Sequence, residues 1–396
     1  MKVVHDKLSA HAHDGPDLTK ILPSLKESLR LVVIYNGDKS QPGSVIQETT
    51  NPRASKSYRP VAEDIADCLE KAGFRHVTLL PDDISLPAQI IRHDLQFAWI
   101  NSAGIQGYDS AGHTSSMLEM MGIPYVGHSP AAALILDNKH LFKQAATGLG
   151  IATAPFTIWN PVTHGSAHRD AIFWERAFNA YQGPFIVKPV SGRASLHVHF
   201  IDDRSGLAQV VEKVYADTHN TVLIETFLSG REFTIAVAGP TRYRKGVVDR
   251  LDQPFVISVA ERILTHGERI FTSMDISPIT TKRASILDPA AEPDIYDELV
   301  RIGRNVFMQH QLGALIRVDV RADVTGRLCV LEVNPKPDLT RPRKDKTPLV
   351  AMGLPALDMS YEDLLLSLLL DRLQFYCDHR PAAIRHIADL AMLLET

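Results

Sequence analysis

The chain has 396 residues, 45% apolar and 22% charged, with 42 Lys and Arg against 46 Asp and Glu for a formal charge of -4. That length supplies two or three domains at roughly 100–200 residues each, and the acidic balance excludes affinity built on nucleic-acid phosphates. No window approaches ~18 uninterrupted apolar residues, which excludes a spanning helix, and the charged N-terminal stretch lacks the apolar core of a secretion signal, so the chain reads as cytoplasmic.

Residues 1–29 are polar and without clear period, and they read as an N-terminal extension. His5, His11 and His13 there read as tail residues rather than metal ligands. Leu31–Tyr35 is a buried-strand run ending at the turn signal Asn36–Gly37. The apolar spacing of Val61, Ile65, Ala66 and Leu69 predicts a helix over 60–72. Val77–Leu80 and Phe97–Ile100 read as further strands, Met117–Gly122 as a helix end, and Pro124–Gly127 as a short strand. Strands alternating with helices predict parallel pairing, hence a doubly wound first domain over 30–137. A second unit over 138–230 holds strands at 185–188, 197–201 and 222–225 with a helix at about 206–217. A third over 231–396 holds a strand at 233–238, an ambiguous connection, a helix at about 294–309, a hairpin and a terminal helix over 361–376. Cys68, Cys329 and Cys377 suit neither a zinc site nor a disulfide framework.

The hairpin carries the most chemistry. If Asp323–Gly326 forms a four-residue loop, Arg317 faces Glu332, and Arg317, Asp319, Glu332 and Asn334 share one face. Glu332 lies between Leu331 and Val333, where an unpaired buried charge costs several kcal/mol. Two carboxylates and an amide oxygen suit a hard divalent cation such as magnesium, the alternative being an Arg317–Glu332 pair beside a solvated Asp319. The loop Pro335–Thr340 leaves this end and is a natural place to hold a substrate. Lys188 ends a buried strand ahead of Ser191–Ser195 and reads either as a phosphate ligand or as a solvated strand end, and Lys139 is weaker alone. The stretch 222–234 offers backbone and apolar surface to a purine, with Glu225 for an exocyclic amine and Glu232 for ribose hydroxyls; otherwise it is a linker with surface acids. The basic run Arg341–Lys346 reads as a loop near an anionic substrate or as a solvated face.

In order and spacing, Met117–Gly127, Leu136–Lys139, Phe185–Pro189, Val222–Thr234, Arg317–Asp319 and Leu331–Pro335 resemble the ATP-grasp enzymes, most closely the D-alanine–D-alanine ligase branch. The resemblance spans most of the chain from Leu31. It implies an α/β fold of three-domain ATP-grasp architecture: a doubly wound N-terminal domain, a small α+β central lid and an α+β C-terminal domain. It implies that Lys139, Lys188 and Ser195 hold ATP phosphates, that Glu225, Phe227 and Leu228 hold adenine, and that Glu232 holds ribose. Asp319, Glu332 and Asn334 would bind Mg2+, or Mn2+ in its place, and Arg317 would stabilise the charged intermediate. Small carboxylate and amine substrates follow, with neither nucleic acid nor membrane as partner and a homodimer as an allowed assembly. The loop Gly192–His197, the segment Asn36–Gln41, Ala103–Gly104 and Pro337–Asp338 depart from the D-alanine pattern. The expectation is therefore a carboxylate–amine ligase acting through an acyl phosphate in specialised metabolism. The alternatives are a mycosporine-like or ring-closing synthetase, a D-alanine–D-alanine ligase, and a non-catalytic ATP-binding regulator.

Overall fold

The computed structural model describes residues 18–38, 41, 43–44, 57–104, 109–167, 171–192, 195–264, 267–270, 283–343 and 347–384. His5, His11, His13, Lys39, Ser40, Arg193, Ala194 and Lys344–Lys346, all weighed above, lie outside the described residues. No described helix is long and apolar enough to cross a membrane.

Residues 18–28 correct the reading of an extension. They form helix α1 (Leu18–Ser28), whose Leu18, Ile21, Leu22 and Leu25 are buried at helical spacing despite Pro23. The chain then builds β1 (Arg30–Asn36), α2 (Arg59–Lys71), β2 (His76–Asp82), α3 (Leu86–Arg92), β3 (Phe97–Asn101), α4 (His113–Met121) and β4 (Tyr125–Val126). The four strands pair in parallel in the order β2-β1-β3-β4, the doubly wound pattern expected. β1 is apolar on both faces because helices cover both, and a near-continuous Leu-Val-Val-Ile run is what such a strand needs.

Next come α5 (Pro130–Asp137) and α6 (Lys139–Gly148). The sequence reading assigned α6 to the central unit. Instead Phe142 and Ala146 pack into the core of the large sheet, with Ile235 and Ile316. The small sheet holds β5 (Phe156–Trp159), β6 (Phe185–Pro189), β7 (His199–Ile201) and β8 (Val222–Thr226), in the order β5-β8-β6-β7. Between them lie α7 (Pro161–His164), α8 (Ala171–Phe178) and α9 (Leu207–Thr218). One face of this sheet, with Phe185, Val187, Val222 and Ile224, packs on Leu207, Val211 and Val214 of α9. Alternation turns Ile186, Lys188, Leu223 and Glu225 to the other face.

The C-terminal part holds β9 (Glu232–Ala238), β10 (Thr241–Arg244), β11 (Val247–Arg250), β12 (Phe255–Arg262), β13 (Ala284–Ile286), α10 (Pro293–Gln309), β14 (Ile316–Ala322), β15 (Leu328–Asn334) and α11 (Tyr361–His379). Five strands form an antiparallel sheet in the order β13-β12-β9-β14-β15. Phe233, Ile235, Val237, Val318 and Val320 point to α10, whose Leu299, Val306 and Phe307 are buried against them. α11 starts with a capping box, Ser360 accepting from Asp363 N while Asp363 accepts from Ser360 N. Its leucines close the core shared with the first domain, including Phe97, Leu25 and Leu29.

The hairpin register differs from expectation in two places. The loop has five residues, so Ala322 pairs with Leu328, and a bulge between Asp319 and Val320 shifts the ladder once more. Arg317 consequently faces Asn334, and Asp319 faces Glu332. Two one-residue shifts restore the parity that either alone would have broken, so all four side chains still share a face.

Candidate active site

The pairing of β12, β9, β14 and β15 lays the functional side chains out in rows. Glu232 lies directly between Arg262 and Arg321 on its neighbouring strands. One row along, Thr234, Asp319 and Glu332 follow each other, and beyond them Ala236, Arg317 and Asn334. The lysine face of the small sheet closes over this grid. A cavity of about 530 Å³ lies between the two, within the usual range for a ligand site. All eleven residues singled out from the sequence line it: Lys139, Lys188, Ser195, Glu225, Phe227, Leu228, Glu232, Arg317, Asp319, Glu332 and Asn334.

At the lid end, Glu225 is 2% exposed and sits between two ammonium groups, Lys188 Nζ at 2.5 Å and Lys143 Nζ at 2.8 Å. Burial pushes the Glu225 carboxyl up, but the two lysines outweigh it and hold it below the usual carboxylate range. Lys139 opens α6 behind the cap Asn138, whose side chain accepts from His140 N and Leu141 N. Its ammonium donates to Gly192 O at 3.2 Å and lies 3.6 Å from Glu332. Ser195, in the following loop, has a left-handed backbone with φ 54°. Phe227 donates its N–H to Pro184 O, and its ring meets Phe200 edge-on at 4.9 Å beneath the Arg321 guanidinium at 4.7 Å. Leu228 packs with Ala154 and Cys329.

On the large sheet, Glu232 accepts from Arg262 at 2.9 Å and from Arg321 at 3.4 Å. Asp319 takes a two-point hydrogen bond from Arg317, Nε at 2.8 Å and Nη2 at 2.9 Å, so the pair alternative names the wrong acid. Arg262 Nη2 lies 3.5 Å from Asp319 as well. Burial raises the Glu332 carboxyl, but Lys139, Lys188, Arg317 and Arg262 together hold it at about 2. Three of these groups, Arg262, Arg321 and Lys143, were missed in the sequence. The first lay in the unread strand β12. Lys143 stands one helical turn after Lys139, a spacing that was there to be seen.

Six cations against four carboxylates leave this site positively charged among the described residues. No group of three or more His, Cys, Asp or Glu side chains converges among them. The candidate metal set is therefore Asp319 and Glu332 completed by the Asn334 amide, whose nitrogen lies 3.5 Å from Asp319. An all-oxygen set of this size, ringed by cations, fits a divalent ion that arrives with phosphate oxygens rather than a bare ion.

At the opposite end, Lys336 Nζ donates to Asn101 O at 3.3 Å and lies 3.6 Å from the centre of the Tyr58 ring, joining the first domain to the loop after Asn334. Asn36 Oδ1 accepts from Ala103 N at 2.7 Å. Gly104 is obligatory, with φ +83° and no room for a Cβ against Ser110 O.

The family model for the D-ala D-ala ligase C-terminus matches residues 146–370. The chain belongs to the D-alanine–D-alanine ligase family. A D-alanine–D-alanine ligase from Pelobacter propionicus is 29% identical over 258 residues, covering 64% of this chain and 73% of that protein. The solved D-alanine–D-alanine ligase from Bacillus anthracis in complex with ATP superposes with a TM-score of 0.62 at 18% identity, over 88% of this chain and 98% of that one. The VanG D-Ala:D-Ser ligase from Enterococcus faecalis gives 0.60 at 16% identity, over 87% and 99%. These two likenesses establish the ATP-grasp fold. Family membership makes the chain an ATP-dependent, ADP-forming C–N ligase of the D-alanine–D-alanine ligase type.

Proposed function

We propose that this ligase joins the carboxylate of one small amino acid to the amine of a second, with D-alanine as the first candidate for both. The observation that carries the reading is the convergence of the eleven residues on one cation-rich cavity. In this proposal Glu225, Phe227, Leu228 and Glu232 bind the nucleoside, and Lys139, Lys188 and Ser195 bind the phosphates. Asp319, Glu332 and Asn334 would hold magnesium, or manganese, which supplies charge neutralisation at the transferring phosphoryl group. The substrate carboxylate attacks the γ-phosphate, ADP leaves, and an acyl phosphate forms. The amine then adds to the acyl carbon, the C–O bond to phosphate breaks, and the amine loses a proton. Arg317, fixed by its two bonds to Asp319, is aimed to stabilise the oxyanion between those steps. The small sheet would act as the lid that keeps water from the acyl phosphate.

The expectation of a specialised-metabolite substrate has less support, because the named relatives are D-alanine–D-alanine ligases. One observation keeps a second reading: the substrate-side wall carries Lys336 and Ala103 where the sequence departs from the D-alanine pattern. ADP release measured with D-alanine, D-serine and pooled amino acids tests both. Release with D-alanine supports the first reading, and release only with other amino acids supports the second. No release with any of them refutes the ligase reading.

A further inference from the structure

Lys143 is the most completely buried cation described, with 0% exposure, and it does not line the cavity. Its ammonium lies 2.8 Å from Glu225 Oε2 and donates to Thr153 Oγ1 at 2.5 Å, which itself donates to Val330 O. The Phe156 ring lies 5.6 Å from it, on the strand that pairs with β8 at Glu225. The same carboxylate is held from the cavity side by Lys188.

Consider the charges with and without Lys143. Lys188 and Glu225 alone form a neutral pair, and a neutral pair offers a phosphate only a dipole. Lys143 adds a second positive charge behind the carboxylate, so the three groups carry one net positive charge, and the end of the triad that reaches the cavity is Lys188. The ammonium of Lys188 has three donors, one spent on Glu225, so it can bind a phosphate oxygen while staying where it is. Burial pushes Lys143 towards neutrality, and Glu225 opposes that.

We infer that Lys143 is a positioning residue which compensates Glu225 from behind, so that the charge of Lys188 is available to nucleotide phosphates. The inference rests on the nucleotide site proposed above. It assigns Lys143 a share in phosphate affinity and none in base recognition, since Glu225 stays ionised through Lys188 in either case.

The test is direct binding of ADP and of adenosine to the full chain, followed by calorimetry, for the parent, Lys143→Met and Lys143→Arg. Lys143→Met should weaken ADP on the order of tenfold to a hundredfold, because unmaking a buried pair is expensive, while adenosine changes less than about twofold. Lys143→Arg, which keeps the charge, should hold the ADP-to-adenosine ratio near that of the parent. An unchanged ratio in Lys143→Met overturns the inference, and so does an equal loss for both ligands. If Lys143→Met fails to fold, the double variant Lys143→Met/Glu225→Gln removes the buried charges together. Its Lys188 is then unneutralised, so ADP should bind with an affinity near that of the parent, and a loss of ADP binding there overturns the inference. A parent chain that binds neither ligand refutes the nucleotide site instead.

Discussion

Glu332→Gln tests the metal assignment with almost no change in shape. Glu332 is one of four carboxylates facing six cations, so its loss widens an existing imbalance rather than relieving one. At 3.6 Å from Lys139, the bare Coulomb attraction is about 4–5 kcal/mol at an effective dielectric of about 20. The carboxylate is 29% exposed, so solvent and side-chain desolvation reduce the net stability loss to about 2 kcal/mol. Turnover should suffer more. A preorganised group that meets developing charge is worth roughly 10²–10³ in rate, and an amide is a weak ligand for a hard cation. ADP release at saturating ATP should therefore fall at least about a hundredfold, with a higher magnesium requirement. A melting experiment alongside would show a modest shift and a single folded population. Turnover within about threefold of the parent, with an unchanged magnesium dependence, would refute the assignment of Glu332 as a ligand.

Two predictions concern stability. Asp371, buried in α11 and accepting from Thr241 N at 2.9 Å, has its carboxyl pushed up to about 6, chiefly by burial. A raised folded pKa gives stability that is complete below about pH 4 and is lost as pH rises through 6, about 3 kcal/mol in all. Asp371→Asn keeps the acceptor and removes that loss, so urea midpoints should be flatter from pH 5 to 8 and should exceed the parent's at pH 8; parallel curves would count against the burial argument. Leu25→Ala, at a fully buried position of α1, should cost about 2–5 kcal/mol in urea unfolding, and a change below about 0.5 kcal/mol would mean that α1 is not part of the core.

The first-domain strands were legible because each is a short apolar run bounded by turn residues, and helices covering both faces leave no ambiguity of face. β6 and β8 were legible for the same reason, with Lys188 and Glu225 marking the face that turns from the core. α1 was overlooked although Leu18, Ile21, Leu22 and Leu25 keep the helical period, since Pro23 and the polar residues between them weakened the pattern. β12 was lost in the long connection, because its ends are polar or bulged and its register is set by β9 rather than by its own residues. With β12 went Arg262. The partner of Arg317 was also misread, as its bond to Asp319 depends on side-chain reach along one strand rather than on cross-strand pairing.

The hairpin separates what local pattern determines from what it does not. Loop length and the bulge at Asp319 are both small backbone choices, and neither leaves a clear mark in Asp323–Arg327 or in Leu331. Side-chain face, by contrast, is tied to burial. A shift of one residue would have put Glu332 and Asn334 into the core against α10, and Val333 and Val330 into the cavity, at several kcal/mol for the acid alone. The five-residue loop creates that shift and the bulge reverses it. A variant that deletes one loop residue while leaving the bulge would force the acids inward or slide the bulge, so the loop and the bulge have to change together. The constraint on this hairpin is thus parity rather than register. That is why an incorrect pairing of Arg317 with Glu332 still placed all four side chains on the wall of the active site.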